Sequence, residues 1–232
     1  FSDVDCAPLG TINTLENLDL RGCPISDAGL TQLGGLGKLK SLKLNGKEGA
    51  TQVTDKGLSA LGSIKSLKVI ALDFLPITDS GLASLDNLDA IKELYLAGTD
   101  VTDQAAETIA GFPALTKLRL ASTEFGTAGL TRLKDMSELT ELDVSDCAGI
   151  DDDAIKSIAG FSQLSKLNLY NTSVGDADWA TQESLPQLHG LYVDKTDVSE
   201  ASLPQIGKLK RRALMHLGCT QVCDAGMAIL GR

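Results

Sequence analysis

The side chains that most often do chemistry are sparse in this chain of 232 residues, which has two histidines and five cysteines. His189 stands beside Leu188, which the apolar pattern places in a strand, and no acid or nucleophile accompanies it at a recognisable spacing. The sequence contains no Walker loop, no GxGxxG after a strand and no HExxH. We therefore predict that the chain is not an enzyme and that it has no catalytic residue and no cofactor.

Two groups of residues could hold a metal ion. Cys219 and Cys223 lie near each other in the last part of the chain, as a disulfide or a ligand pair would require, but no histidine–cysteine set surrounds them. Asp151, Asp152 and Asp153 could form a calcium site or simply begin a helix. The ligand spacing of a calcium loop is absent, which favours the helix. We predict no metal site.

Charge narrows the classes of partner. The chain carries 21 basic and 31 acidic residues, a formal net charge of −10 at pH 7. Nucleic acids and anionic membrane surfaces attract basic proteins, so we expect neither as a partner. No apolar run reaches the roughly 18 residues of a membrane-spanning helix, so we expect no membrane insertion.

One repeated unit dominates the sequence and is clearest in Ile91–Asp103, with the pattern LxxLxLxxTxVTD. Its last strand residue recurs at Leu20, Leu44, Leu72, Leu96, Leu120, Val144, Leu169, Val193 and Leu217. The steps are 24 or 25 residues, except for one of 28. This spacing predicts about nine stacked repeats of about 24 residues.

Each unit combines two periodicities. Alternation, as in Leu94-Tyr95-Leu96, predicts a short strand with one buried face, whereas apolar residues spaced by three predict a short helix. Pairs such as Thr54-Asp55 precede the helices, where the hydroxyl can accept a helix N–H and the carboxylate suits the helix dipole. Because strands pack more closely than helices, we expect a horseshoe with a parallel sheet on its concave face and helices on its convex face.

The repeated pattern, with its VTDxGLxxL segment, resembles that of leucine-rich repeat proteins over essentially the full length of the chain. It is similar to the cysteine-containing and ribonuclease-inhibitor-like subclass, and more similar still to short Thr-type arrays of bacteria. The resemblance implies an α/β leucine-rich repeat solenoid that binds a protein or peptide. It departs from the subclass because the buried position three residues after the last leucine is mostly threonine, as at Thr99 and Thr172.

The strand residues that flank the last two leucines are expected to face the concave surface, where they form three columns. The central column contains Asp19, Lys43, Ala71, Tyr95, Arg119, Asp143, Asn168, Tyr192 and His216. The column before it contains Asn17, Ser41, Val69, Glu93, Lys117, Glu141, Lys166, Gly190 and Leu214. The column after it contains Arg21, Asn45, Asp73, Ala97, Ala121, Ser145, Tyr170, Asp194 and Gly218. All three tyrosines of the chain fall in these columns, which favours binding over simple strand propensity.

Two candidate binding patches follow from the columns. The middle patch contains Tyr95, Lys117, Arg119, Glu141 and Asp143. The C-terminal patch contains Tyr170, Tyr192, Asp194 and His216. The opposite charges of the middle patch either pair across strands and stabilise the sheet or set the register of a partner. If His216 contributes, binding at the C-terminal patch should change between about pH 5 and pH 8.

We expect one leucine-rich repeat domain over residues 1–232, which is a segment of a longer protein or a short natural array, and we expect a monomer. The predicted function is a scaffold that binds a protein or peptide on the concave sheet. Two alternatives stay open: a structural spacer in a larger surface or secreted protein, and a substrate-recognition segment of a multidomain adaptor such as a ubiquitin-ligase-like receptor. The second repeat is four residues longer than the others, through Asn45–Gln52. This insertion is either neutral drift or functional.

Overall fold

The computed structural model describes residues 1–176, 179, 185–209, 214–218 and 220–222. The chain divides into two compact units, Phe1–Leu115 and Thr116–Arg232. The first unit contains four parallel strands that pair in chain order: β1 Asn17–Asp19, β2 Ser41–Asn45, β3 Val69–Asp73 and β4 Glu93–Tyr95. The second contains five more, also paired in chain order: β5 Lys117–Arg119, β6 Glu141–Asp143, β7 Lys166–Asn168, β8 Gly190–Tyr192 and β9 Leu214–His216.

Short helices alternate with the strands. Those of the first unit are α1 Asp3–Gly10, α2 Asp27–Gln32, α3 Asp55–Leu58, α4 Asp79–Ala83 and α5 Ala105–Ala110. A 3₁₀ turn, Ser59–Ser63, follows α3. The described helices of the second unit are α6 Thr127–Leu133, α7 Asp153–Ile158 and α8 Leu203–Ile206. Within the described ranges, no helix is both long and apolar enough to cross a membrane.

The apolar residues of the repeat pattern form the core of each unit. Neighbouring repeats must stack to bury them, because a single repeat cannot do so alone. In the second repeat, Leu42 and Leu44 are fully buried, while Ser41 and Lys43, which alternate with them, are only half-buried. The buried threonines are also satisfied: Thr99 Oγ1 donates to the Leu96 carbonyl at 2.7 Å, and Thr172 Oγ1 donates to that of Leu169 at 2.7 Å. The three-residue spacing that the sequence shows therefore closes a turn directly after the strand.

The Ser/Thr-Asp pairs do more than begin helices. As predicted, Thr54 Oγ1 accepts the Lys56 N–H, and Ser26 and Thr78 make the equivalent cap. The structure adds a ladder of contacts between repeats, in which each aspartate accepts the backbone N–H and the hydroxyl of the next repeat's Ser or Thr. The acceptors of this aspartate ladder and their donors are Asp3 with Ser26, Asp27 with Thr54, Asp55 with Thr78 and Asp79 with Thr102.

The same ladder explains a glycine in the repeat. A Cβ added to Gly57 would lie 2.5 Å from Asp27 Oδ1, and one on Gly81 would lie 2.0 Å from Asp55 Oδ1. The position is occupied by Ala105 in the next repeat, so a methyl group is accommodated there once the neighbouring atoms shift. The GL of VTDxGL therefore combines a site of close approach with a buried leucine.

Three of the five cysteines lie within the described residues. Cys6 and Cys147 are fully buried and Cys23 is half-buried, and all three are free thiols. Burial raises the pKa of the Cys147 thiol. The predicted pairing of Cys219 with Cys223 lies outside the described residues. Single-domain organisation, the longer parent protein and the monomeric state stay predictions.

Candidate functional site

The register of the strands confirms the central column and the column before it within each unit, and in the third column it pairs Asn45 with Asp73. In the first unit Asp19, Lys43, Ala71 and Tyr95 are successive partners. In the second unit the successive partners are Arg119, Asp143, Asn168, Tyr192 and His216. Side chains of one column therefore lie on neighbouring strands, about 4.8 Å apart, and can be contacted together.

The charged residues of β5 and β6 pair with one another across the strands. Arg119 Nε lies 3.2 Å from Asp143 Oδ2, and Lys117 Nζ lies 3.5 Å from Glu141 Oε1. Lys166 of β7 approaches the same Glu141 oxygen at 3.6 Å, a contact that the predicted middle patch did not include. Their side chains are 26–50% exposed, so each pair contributes little stability and stays accessible to a partner.

Asp143 is held in place by its own strand end. Its Oδ1 accepts the Ser145 hydroxyl at 2.7 Å and the Ser145 N–H at 3.1 Å, while Oδ2 accepts Arg119. These bonds fix the orientation of the carboxylate and hence that of the guanidinium beside it. The cross-strand pairing that the sequence allowed is thus present, and it also presents an ordered charged surface.

The C-terminal patch is the most organised part of this face. The rings of Tyr192 and His216 are 4.7 Å apart at an interplanar angle of 37°. His216 Nδ1 lies 3.8 Å from Asp194 Oδ2, and the other Asp194 oxygen accepts the Gly218 N–H at 2.8 Å. Three of the four predicted residues are therefore brought together as an aromatic pair beside a half-buried carboxylate.

Tyr170 belongs to a contact that the sequence analysis missed. Lys195 Nζ lies over its ring, 5.1 Å from the centroid, in cation–π geometry. Lys195 is the third residue after β8 and has a φ of 55°, and Ser122, Asp146 and Asn171 at the same position of other repeats also have positive φ. A signal for this left-handed conformation was present in the sequence, because Gly22 and Gly98 occupy the same position of other repeats and also have positive φ.

Tyr95 lies in β4 of the first unit, whereas the four charged residues of the middle patch lie in β5 and β6 of the second. It is half-buried, and its hydroxyl donates to Glu93 Oε2 of the same strand at 2.7 Å. The Glu93 carboxylate, which lies in the adjacent column on the same strand, therefore orients the Tyr95 hydroxyl.

The acidic triplet begins a helix, as expected. Asp151 Oδ1 accepts the Thr127 hydroxyl at 2.9 Å and the Asp153 N–H at 3.1 Å, and Asp152 Oδ1 accepts the Gly175 N–H at 2.6 Å. Lys156 Nζ lies 2.7 Å from Asp153 Oδ1 and lowers the pKa of that carboxyl group. Each carboxylate thus has a protein partner. In the part of the chain that the structure describes, no three His, Cys, Asp or Glu side chains are grouped as a metal site requires.

Comparison with known proteins supports the repeat assignment. A family model described as "Leucine Rich repeat" matches residues 11–34 and 137–159. A search of curated proteins gives no match. Among solved structures, an internalin (inlF) from Listeria monocytogenes is similar over 97% of this chain and 67% of its own, with 20% identity and a TM-score of 0.71. Internalin C2 of the same organism is similar over 93% of this chain and 83% of its own, with 20% identity and a TM-score of 0.70.

A plant peptide hormone receptor, RGFR1, solved in complex with RGF2, is more distant. It is similar over 96% of this chain and 39% of its own, with 10% identity and a TM-score of 0.58. At these identities the similarity concerns the fold, and the finer Thr/Cys subclass stays a prediction. Parallel strands in register, short alternating helices and the matched repeat model lead to one conclusion: the chain is a leucine-rich repeat protein with an α/β solenoid fold.

Proposed function

We propose that this protein is a non-enzymatic interaction scaffold that binds a protein or peptide through the column residues of its sheet. The observation that carries the proposal is the C-terminal patch, where Tyr192, His216 and Asp194 form an ordered cluster on the exposed side of the strands. None of these side chains belongs to the leucine core, and Tyr192 and His216 contact each other outside it. Tyrosine combines a large apolar area with a polar tip and is enriched where partners bind.

The paired charges of β5 and β6 support the same role. Arg119 and Asp143 are half-exposed, and a surface ion pair adds only about 0.2–1 kcal/mol to stability. Ordered opposite charges can instead fix the register of a partner and exclude others. The receptor RGFR1, a structural neighbour, is described as a peptide hormone receptor, which is in keeping with a peptide or protein ligand here.

Two other functions predict different behaviour. A structural spacer would tolerate replacement of the column residues without loss of any interaction. A substrate-recognition segment of an adaptor would use the same columns, but its partner would be delivered to another domain. Both are tested by the same variants, because the spacer predicts no effect and the adaptor predicts loss of binding together with a second domain in the parent protein.

The test uses a strand-face variant, Arg119→Ala/Tyr192→Ala/His216→Ala, and a helix-side control, Lys134→Ala/Glu138→Ala/Lys156→Ala, which replaces three exposed residues of the same unit. Circular dichroism first establishes that all proteins unfold at similar temperatures. A partner captured by the wild type is then purified, and its Kd for each protein is measured by calorimetry. We expect the strand-face variant to bind at least about tenfold more weakly and the control to bind within about twofold of wild type.

Equal loss in both variants would contradict the proposal. Loss only in the control, or binding retained by every variant, would also contradict it and would place the site on the helices or the inserted loop Asn45–Gln52. Capture of no partner by the wild type would favour the spacer. The proposed monomeric state is checked on the same samples by light scattering.

A further inference from the structure

A row of lysines lies where the strands of the first unit begin. Lys40 N–H donates to the Glu16 carbonyl at 2.7 Å, Lys68 N–H to that of Lys40 at 2.8 Å, and Lys92 N–H to that of Lys68 at 2.7 Å. The four residues therefore occupy one position in successive repeats, just before β1–β4. We call Lys40, Lys68 and Lys92 the lysine edge.

Like charges collect at this edge. Neighbouring strands are about 4.8 Å apart, and like charges placed opposite each other across strands destabilise a sheet. One acid relieves the row at its start, where Lys40 Nζ lies 2.6 Å from Glu16 Oε1. The Lys40 hydrogen bond and charge, followed by the charges of Lys38 and Lys68, hold the pKa of Glu16 below its usual range. Lys38, Lys40 and Lys68 thus all act on the Glu16 carboxylate, and Lys92 occupies the next position of the row.

This basic edge stands out against its unit. Residues 1–115 contain nine basic and 15 acidic residues, a net charge of −6. The lysines are therefore not part of a generally basic surface. The net negative charge of the unit already favours solubility. Solubility therefore does not explain why three lysines lie at the same position of successive repeats.

The second unit shows that the fold does not need lysine at this position. The equivalent residues are Thr116, Thr140, Ser165 and His189, linked by the same backbone bonds at 2.7, 2.8 and 3.0 Å. There, Thr140 Oγ1 donates to the Thr116 carbonyl and Ser165 Oγ donates to the Thr140 carbonyl, both at 2.9 Å. The hydroxyl of each repeat thus closes onto its neighbour's backbone, a local bond that lysine replaces with a projecting charge.

We propose that the lysine edge binds an acidic, extended segment of a partner protein, at a surface distinct from the column residues of the proposed function. Three ammonium groups cover two strand steps, about 10 Å. Alternate side chains of an extended peptide are about 6.7 Å apart, so three carboxylates span about 13 Å. Four-carbon lysine stems are flexible enough to absorb the difference.

The surroundings of the edge favour a short acidic segment over a nucleic acid or a sulfated polymer. The edge contains no arginine, and lysine acts as a point charge that attracts carboxylate and phosphate alike. The extent of the anion therefore decides between the two. A long polyanion would extend past the three lysines onto a unit of net charge −6, where it would be repelled.

The test converts the edge to the sequence of the second unit. The edge variant is Lys40→Thr/Lys68→Thr/Lys92→Thr, a substitution pattern that the second unit already accommodates. The matched control, Lys56→Thr/Lys156→Thr/Lys208→Thr, removes the same charge from exposed positions elsewhere. The probe is a fluorescein-labelled peptide in which glutamate alternates with serine, and its neutral counterpart replaces each glutamate by glutamine. Fluorescence anisotropy gives the Kd at several salt concentrations.

We expect the wild type and the control to bind the glutamate peptide with similar Kd, within about threefold, and the edge variant to bind at least about tenfold more weakly with a flatter salt dependence. The glutamine peptide should not bind. Equal weakening in both variants would overturn the proposal, because it would mean that net charge alone attracts the peptide. Binding of heparin or single-stranded DNA at the edge without binding of the peptide would also overturn it and would assign the edge to another class of polyanion.

Discussion

The two units contain the same repeat but differ in how their repeats are joined at the helix starts. In the first unit the aspartate ladder is regular, and each carboxylate accepts two bonds from the Ser or Thr of the next repeat. In the second unit the pattern changes from repeat to repeat. Asp152 accepts the Gly175 N–H, whereas Asp176 accepts from Ser199 and Ser202. The difference shows which contacts a repeat must make and which it can vary.

The two units also differ in the residues that occupy their exposed positions. The first unit has a line of lysines at its strand starts, while the second has hydroxyl groups there and places its aromatic and paired charged residues on the strand face. Because each repeat of a solenoid contacts only its neighbours, substitutions at exposed positions can accumulate in one unit without consequence for the other. The two proposed surfaces therefore lie at different positions of the same repeat.

Among the variants that test this comparison, Asp55→Ala, which breaks the regular ladder of the first unit, should lower the free energy of unfolding most. Its carboxylate accepts the Thr78 N–H at 2.8 Å and the Thr78 hydroxyl at 2.6 Å, so both donors would lose a charged acceptor. We expect a loss of about 2–3 kcal/mol in the free energy of unfolding, measured by urea denaturation with circular dichroism. Amide hydrogen exchange should show faster exchange at Thr78.

Two variants make the comparison quantitative. Asp152→Ala, in the less regular ladder, should cost about 1 kcal/mol or less, because the bond to Gly175 is the contact between repeats that it removes. Asp100→Ala changes an exposed aspartate of the first unit and should change stability by less than about 0.5 kcal/mol. If Asp55→Ala and Asp152→Ala lower the free energy of unfolding equally, the regular ladder of the first unit is no more stabilising than the irregular ladder of the second.

Much of this architecture could be predicted because the leucine spacing fixes the strand register, and the register places every column residue. The aspartate ladder could not. A Ser/Thr-Asp pair in the sequence predicts only the start of its own helix, whereas the bonds of Asp27 reach Thr54, 27 residues away. Contacts of this length depend on how neighbouring repeats stack. In the same way, the position of Lys195 over Tyr170 depends on a positive φ that its residue type does not indicate.

A smaller effect is expected where the backbone leaves the strands. Gly98 has a φ of +64°, and an added Cβ would lie 2.4 Å from Cδ1 of Phe74, whose ring also lies 5.3 Å from Lys47 Nζ. Gly98→Ala should therefore cost about 1–2 kcal/mol in urea denaturation. Ser122 of the second unit has a similar φ of 58° and carries a side chain, so the left-handed conformation alone is tolerated there.

The control for this variant is Gly35→Ala, since a Cβ there would meet no atom within 4 Å. It should change stability by less than about 0.5 kcal/mol. Repeating Gly98→Ala in a Phe74→Ala background separates the two causes. If the cost disappears, it came from the ring; if it persists undiminished, backbone strain is the cause and the comparison with Ser122 fails.

The smallest effect concerns the acid sensitivity of the second unit's ladder. Burial raises the pKa of Asp176, but hydrogen bonds from Ser199 and Ser202 outweigh it, so the net pKa lies below the ordinary value of 3.8. A depressed folded-state pKa adds stability above the unfolded pKa, and this stability is lost as the pH falls through 3.8 and then through the lower folded value. The contribution should be less than about 1 kcal/mol, because water screens this exposed carboxylate.

Asp176→Asn removes this titration and should flatten the pH dependence of stability between about pH 5 and pH 3, while lowering stability at pH 7. The readout is the urea midpoint followed by the fluorescence of Trp179, the single tryptophan of the chain, which is buried in the second unit and donates its indole N–H to the Gly175 carbonyl at 3.1 Å. Asp197→Asn, an exposed change in the next repeat, is the control. If both variants keep the wild-type pH profile, the serine bonds to Asp176 do not stabilise the second unit, and its ladder differs from that of the first unit in strength as well as in regularity.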